Sequence, residues 1–281
     1  NEDSHWCIAE AYSGSAENYK ALGDYTLAKS LHEKALMIRR KIFADTHRSI
    51  ADSVYYLALL TVHTTPKYDE SIRGFEDSLA LRKASLGAVH RDIANSLHGI
   101  GSAWYCKGHL QECKSWYEKA DLMRKELFGS NHPDICNSMH YSALLSRKQG
   151  KLEQTSSILE RCLAERQDIY GALHPTVAIT LFQLAEVHCA QGKYTLAKIQ
   201  YADALGVRML VFGKNHPHHP EIAESIFGIA ECLRLCGKYI VLPTKLEPLL
   251  TYENIVPESS GELLIGDDLY GQSSIVTNPL T

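Results

Sequence analysis

Long apolar runs are missing from this 281-residue chain. None approaches the roughly 18 residues that a membrane-spanning helix needs, so no membrane is expected as partner. Charge of one sign is missing too: the formal net charge is −4, with 22% charged residues. That mild acidity gives no electrostatic reason to expect nucleic acid. Catalytic signatures are also lacking. There is no Gly-rich phosphate loop, no His-Glu-x-x-His and no Gly-x-Ser-x-Gly. A non-enzymatic chain without a cofactor is the expectation.

What is present is a period. Phe128-Gly129 followed by His132-Pro133-Asp134-Ile135 has four sister stretches. They run from Phe43 to Ile50, Leu86 to Ile93, Tyr170 to Val177 and Phe212 to Ile222, the last stretched by a His-Pro-His insert. The opening residues at 43, 86, 128, 170 and 212 set a step of about 42, which signals a repeat architecture. In this connector Gly closes a helix with positive φ. Pro starts the next one with φ preset. Asp134 or Glu221 then sits in a first turn, where negative charge is favoured.

A second mark recurs half a period away, at Gly23, Gly108, Gly150, Gly192 and Gly237, with Pro66-Lys67-Tyr68 in the remaining slot. Each period therefore holds an A helix and a B helix. The A helices are expected at 5–22, 48–63, 91–107, 133–149, 175–191 and 220–236. The B helices are expected at 25–42, 68–86, 110–127, 152–169 and 194–211. Such a pair cannot bury its apolar face alone and stacks on its neighbours. Ala16, Ala58, Gly101, Ala143, Ala185 and Ala230 share a slot where a small residue lets helices cross closely. Phe75, Trp104, Trp116, Leu122 and Leu184 are among the expected core residues.

The eight cysteines do not read as a disulfide framework. Cys113, Cys136 and Cys162 fall in slots that hold alanine in sister repeats, as small core thiols do in a reducing, cytoplasmic setting. A metal site is not expected. His216, His218 and His219 precede one helix and Cys232 and Cys236 end it, roughly 20–25 Å away at 1.5 Å per residue. Arg39, Arg82, Arg124, Arg166 and Arg208 share a slot near the end of each B helix. There a cation complements the helix dipole and can bridge to the next repeat.

The repeat pattern stops after Tyr239. Residues 1–239 are expected to form one solenoid of five helix pairs and a sixth A helix. Residues 240–281, with Pro243, Pro248 and Pro257 and with six acids against the single base Lys245, are expected to give an irregular cap and an acidic tail.

The residues Leu184-Ala185, Gly192-Lys193-Tyr194, Ala197, Tyr201, Ala204-Leu205, Phe212-Gly213 and His219-Pro220-Glu221-Ile222-Ala223 together resemble a tetratricopeptide repeat. The 42-residue form with a His-Pro connector is similar to kinesin light chains and nephrocystin-type proteins, over about residues 5–239. The resemblance implies an all-α, right-handed superhelical solenoid of antiparallel helix pairs. It also implies a concave groove, lined by A helices, that binds extended, often acidic peptides with an aromatic anchor.

Kinesin light chains usually carry an asparagine pair before the crossing slot. Here those slots hold Ser13-Gly14, Tyr55-Tyr56, His98-Gly99, His140-Tyr141, Phe182-Gln183 and Phe227-Gly228, so kinesin cargo recognition does not carry over. Coiled-coil heptads, with which a light chain joins its heavy chain, are absent as well. A cargo-binding subunit of a motor and the sensor arm of a signalling ATPase are the alternatives to a scaffold or adaptor.

The expected groove wall is Tyr55, Tyr56, Leu59, Asn95, His98, Tyr105, Asn137, His140, Tyr141, Leu144, Arg147, Lys148, Phe182, Gln183 and Phe227. Aromatics and one basic pair interleave there, which suits a peptide with an apolar anchor and an acid near Arg147 and Lys148. An intramolecular occupant is conceivable on the same chemistry: the 256–281 tail carries Asp267, Asp268 and Tyr270.

Overall fold

A computed structural model describes residues 2–212 and 219–237. The expected cap and tail at 240–281, and His216 and His218, lie outside the described residues. Eleven helices appear among the described residues, and no strand. The A helices are α1 (Glu2–Ala21), α3 (Arg48–Thr64), α5 (Arg91–Lys107), α7 (Pro133–Lys148), α9 (Pro175–Ala190) and α11 (Pro220–Leu235). The B helices are α2 (Tyr25–Ile42), α4 (Tyr68–Leu86), α6 (Leu110–Phe128), α8 (Leu152–Tyr170) and α10 (Tyr194–Phe212). Each packs mainly on the helices before and after it in sequence. The result is an all-α solenoid of antiparallel helix pairs.

The connector histidine has two structural jobs. His47, His90, His132, His174 and His219 are the N-cap residues of the A helices. Each Nδ1 accepts from the backbone N–H two residues on, at 3.1 Å for Asp92 and Asp134. That satisfies one of the donors a helix start leaves free. Four of these rings also stack on the aromatic that ended the preceding B helix: Phe43–His47 at 3.9 Å, Phe128–His132 at 4.0 Å, Tyr170–His174 at 4.5 Å and Phe212–His219 at 3.6 Å; before His90 that position is Leu86. Gly129 closes α6 at φ 73°. In the first copy, where Ala44 replaces glycine, Phe43 leaves the helix in extended geometry instead.

The crossing slot behaves as the repeat requires. Ala16, Ala58, Ala143 and Ala185 are buried. A Cβ built on Gly101 would lie 2.5 Å from the Tyr117 ring and 3.4 Å from the Cys113 carbonyl. Ala230, in α11, is only half-buried. Leu122 departs from expectation: it is 67% exposed. It sits on the outer side of α6, on a crevice of about 680 Å³ between α4 and α6 that also exposes parts of Leu97 and Met123.

Curvature follows from unequal packing on the two faces. Neighbouring A helices touch directly in the pairs α3–α5 and α9–α11. The B helices α2, α4 and α6 instead splay, leaving that crevice and one of about 920 Å³ between α2 and α4, floored by Ile50, Val54 and Leu57 of α3. At these places the stack is closer on the A side, the side expected to be concave.

Two glycine substitutions separate crossing from propensity. Gly101→Ala should destabilise by about 1–3 kcal/mol, since it overpacks the α5–α6 crossing. Gly14→Ala, with nothing within 4 Å of its Cβ, should stabilise by about 0.5–1 kcal/mol through helix propensity. Denaturant midpoints of the two variants measure both signs.

Candidate functional site

The expected groove wall is carried by the A helices α3, α5, α7, α9 and α11. Tyr55 and Tyr56 of α3 meet edge to face at 5.5 Å. Tyr55 leans on Phe75 of α4 at 5.3 Å, and Tyr56 stacks on His32 of α2 at 5.0 Å. In α5 and α7, His98 stacks on Tyr117 at 4.8 Å and meets Tyr141 at 4.1 Å, while His140 meets Tyr141 edge to face at 5.4 Å. In α9, Phe182 meets Tyr201 of α10 edge to face at 5.2 Å. Leu59 and Leu144 are half-buried. Phe227 stands apart, 71% exposed on α11.

The wall therefore rests on a floor of B-helix rings that share one slot: His32, Phe75, Tyr117 and Tyr201. Room for that floor comes from glycine. A Cβ on Gly99 would lie 2.5 Å from Phe75, and one on Gly228 2.7 Å from Tyr201. The signal lay in the residue after each wall aromatic, where small and large side chains alternate against the ring below.

Under this wall runs the arginine ladder. Arg39, Arg82, Arg124, Arg166 and Arg208 are each about 95% buried, with 3–5% of their surface exposed. Every Nη1 donates to a hydroxyl of the following A helix: Ser53 at 2.5 Å, Ser96 at 2.9 Å, Ser138 at 2.8 Å, Thr180 at 2.6 Å and Ser225 at 2.7 Å. The opposite side reaches the preceding A helix, and here the repeats differ. Arg39 pairs with Glu10 at 2.6 Å and Arg82 with Asp52 at 2.8 Å. In the same slot Arg124 finds only the amide oxygen of Asn95, at 3.1 Å. Asn137 is exposed and leaves Arg166 to Thr176 and Thr180. Arg208 finds its acid on the other side, in the following A helix, where Glu221 lies at 3.2 Å.

Among the described residues, Arg124 and Arg166 thus have no carboxylate within 4 Å. Asp134, whose charge acts on Arg124, is held by Arg91 at 2.7 and 2.9 Å. Burial pulls the Arg124 guanidinium below its usual range. A buried charge lacking a counter-ion is costly.

The basic pair expected to meet an acidic ligand is already engaged. Arg147 donates to Glu186 at 2.6 Å. Lys148 donates to the Tyr105 carbonyl at 3.1 Å and lies 4.2 Å over the Tyr105 ring. The free positive potential accordingly sits deeper, at Arg124 and Arg166. Both histidines above them stay neutral. Burial, and then Arg124, lower His98 to about 3. Burial, and then Arg166, lower His140 to about 4. The buried His140 Nδ1 and Gln183 Oε1 make no well-formed hydrogen bond within the chain. No group of three or more His, Cys, Asp or Glu side chains among the described residues is placed to hold a metal.

Comparison with known proteins agrees with this fold. Residues 93–134 and 134–209 match models of the tetratricopeptide repeat. No curated protein sequence matches the chain. Among solved structures, the nearly identical TPR-like repeats of a kinesin light chain from Podosopora anserina are 21% identical, with a TM-score of 0.59 over 74% of this chain and 98% of that one. BtubC (BKLC) from P. vanneervenii is 19% identical, with a TM-score of 0.62 over 77% of this chain and 84% of that one. A Rap protein complexed with competence and sporulation factor is 13% identical, with a TM-score of 0.62 over 80% of this chain and 63% of that one. At these identities the likeness is one of fold.

The neutral histidines make stability acid-sensitive. Their folded pKa values lie below the ordinary one of about 6.5, so the unfolded chain binds more protons as pH falls. Stability is therefore complete above about pH 6.5 and declines toward pH 4, by up to about 1.4 kcal/mol per pH unit for each site. Urea melts from pH 7 to 4 should show a shallower decline in His98→Gln/His140→Gln than in the parent chain. Equal slopes would mean that neither ring is held neutral by the fold.

Proposed function

We propose that this chain, a tetratricopeptide-repeat protein, is a non-enzymatic interaction scaffold whose concave face binds an extended acidic segment of a protein partner. The observation that carries the reading is the pair of buried guanidiniums, Arg124 and Arg166, with no carboxylate of the described residues in contact, beneath an aromatic wall. A ligand carboxylate would supply to the third and fourth repeats what Glu10 and Asp52 supply to the first two. Charge-assisted bonds of this kind are stronger than neutral ones.

The aromatic rings supply the apolar half of recognition. Tyr56, His98, Tyr141 and Phe182 each keep part of a ring open along the wall, and rigid aromatics give contact area at low entropic cost. Phe227 extends that surface. Asn95, Asn137 and Gln183 offer amides to a peptide backbone. No helix among the described residues is long and apolar enough to cross a membrane, and eight free thiols suit a reducing, cytoplasmic setting.

Selection of a random displayed peptide library on the folded chain tests this reading. Acidic sequences with an aromatic residue should be enriched. The variant Asn95→Asp/Asn137→Asp places a carboxylate in the slot from which Glu10 and Asp52 pair their arginines, so it should lose the acidic preference and weaken a selected peptide about tenfold, roughly 1.4 kcal/mol. Arg147→Gln should change affinity by less than about twofold, as expected of an exposed, already paired charge. Enrichment without charge preference would sink the assignment.

A further inference from the structure

The contact between neighbouring A helices has a fixed pair of slots. Val62 of α3 packs on the cluster that contains Ala103 of α5, and Tyr105 of α5 packs on the cluster that contains Leu145 of α7. Two steps further on, past Arg147 of α7 and Val187 of α9 and counted with the longer last connector, these slots hold Cys189 of α9 and Cys232 of α11. The two thiols share an apolar cluster with Ala185, Ala197 and Tyr201. Both are free; Cys232 is buried and Cys189 half-buried. Burial pushes the Cys232 thiol up to about 12, with Cys189 adding to the effect. The backbones of α9 and α11 come within 8 Å of each other, and a disulfide needs about 4.4–6.8 Å between Cα atoms.

We propose that Cys189 and Cys232 form an oxidisable pair, and that their disulfide staples α11 to α9. The partner chemistry is a low-molecular-weight disulfide such as oxidised glutathione. The Cys189 thiolate attacks one of its sulfurs, which forms a mixed disulfide and releases one glutathione thiolate. Cys232 then loses its proton to that thiolate and attacks the Cys189 sulfur. The protein disulfide forms and a second glutathione leaves. Overall two protein thiols are oxidised to a disulfide, and one glutathione disulfide is reduced to two thiols.

The roles follow from exposure. Cys189 can be reached from solvent, whereas the buried, high-pKa Cys232 is inert toward an external oxidant and serves as the resolving thiol. In a stacked array each helix pair is held only by its neighbours. A covalent link from α11 to α9 removes the independent opening of α11. It would set the last part of the concave face, between Phe182 and Phe227, under redox control. This inference stands on the thiol geometry alone and does not depend on what the groove binds.

The test treats the full chain with oxidised glutathione, then maps unreduced peptides by mass spectrometry and amide exchange. The expected result is a linked Cys189–Cys232 peptide and exchange in α11 slowed on the order of tenfold. Cys236→Ser should keep both results, and Cys189→Ala should lose both while circular dichroism stays unchanged. Two results would overturn the proposal: glutathionylation of Cys7, Cys106 or Cys236 without the linked peptide, or a linked peptide that leaves α11 exchange unaltered.

Discussion

The structure depends on a buried guanidinium, repeated five times, that ties each B helix to the A helix after it. Each ladder arginine leaves the end of a B helix and bonds a hydroxyl on the next A helix. In the first three repeats it also reaches back to the preceding A helix, at Glu10, Asp52 or Asn95. A cation with 3–5% of its surface exposed tolerates few geometries, because each unsatisfied donor carries a desolvation cost. The ladder therefore specifies how one repeat sits on the next. Apolar packing alone would do so less sharply, since the B helices leave crevices of about 920 and 680 Å³ between them.

The same requirement gives the concave face its chemistry. Where the preceding A helix supplies an acid, the ladder is electrically closed. Where it supplies asparagine, the charge stays open, and the open positions fall together in the third and fourth repeats. His98 and His140 lie above them and remain neutral partly because Arg124 and Arg166 repel a proton. On the proposed reading, stability and recognition are coupled through these few side chains. A neutral imidazole preserves the fold beside a buried cation and leaves that cation available to an anion.

Much of this was legible in the chain. The step of about 42 placed the helices to within a few residues, and the Gly and His-Pro marks placed their ends. The wall aromatics could be found because A-helix slots recur in register. Two features could not be read that way. Arg147 and Lys148 looked like an open basic pair, yet Glu186 and the Tyr105 carbonyl engage them across the repeat boundary. Leu122 looked like core from its spacing and lies 67% exposed, because the splay of the B helices withdraws the neighbour that would cover it.

By itself, the sequence determined the period, the helix pairs and the slots, since these rest on local propensities, caps and hydrophobic spacing. It also determined that the ladder would be basic and the crossing slot small. Only the tertiary structure decided which charges are spent. Compensation depends on distance between helices whose paired residues are 30 and 39 positions apart in the chain, and no local pattern encodes that distance. The electrostatic difference between Asp52 under Arg82 and Asn95 under Arg124 is one substitution in a list of residues. It becomes an open site only when burial removes the water that would otherwise have screened it.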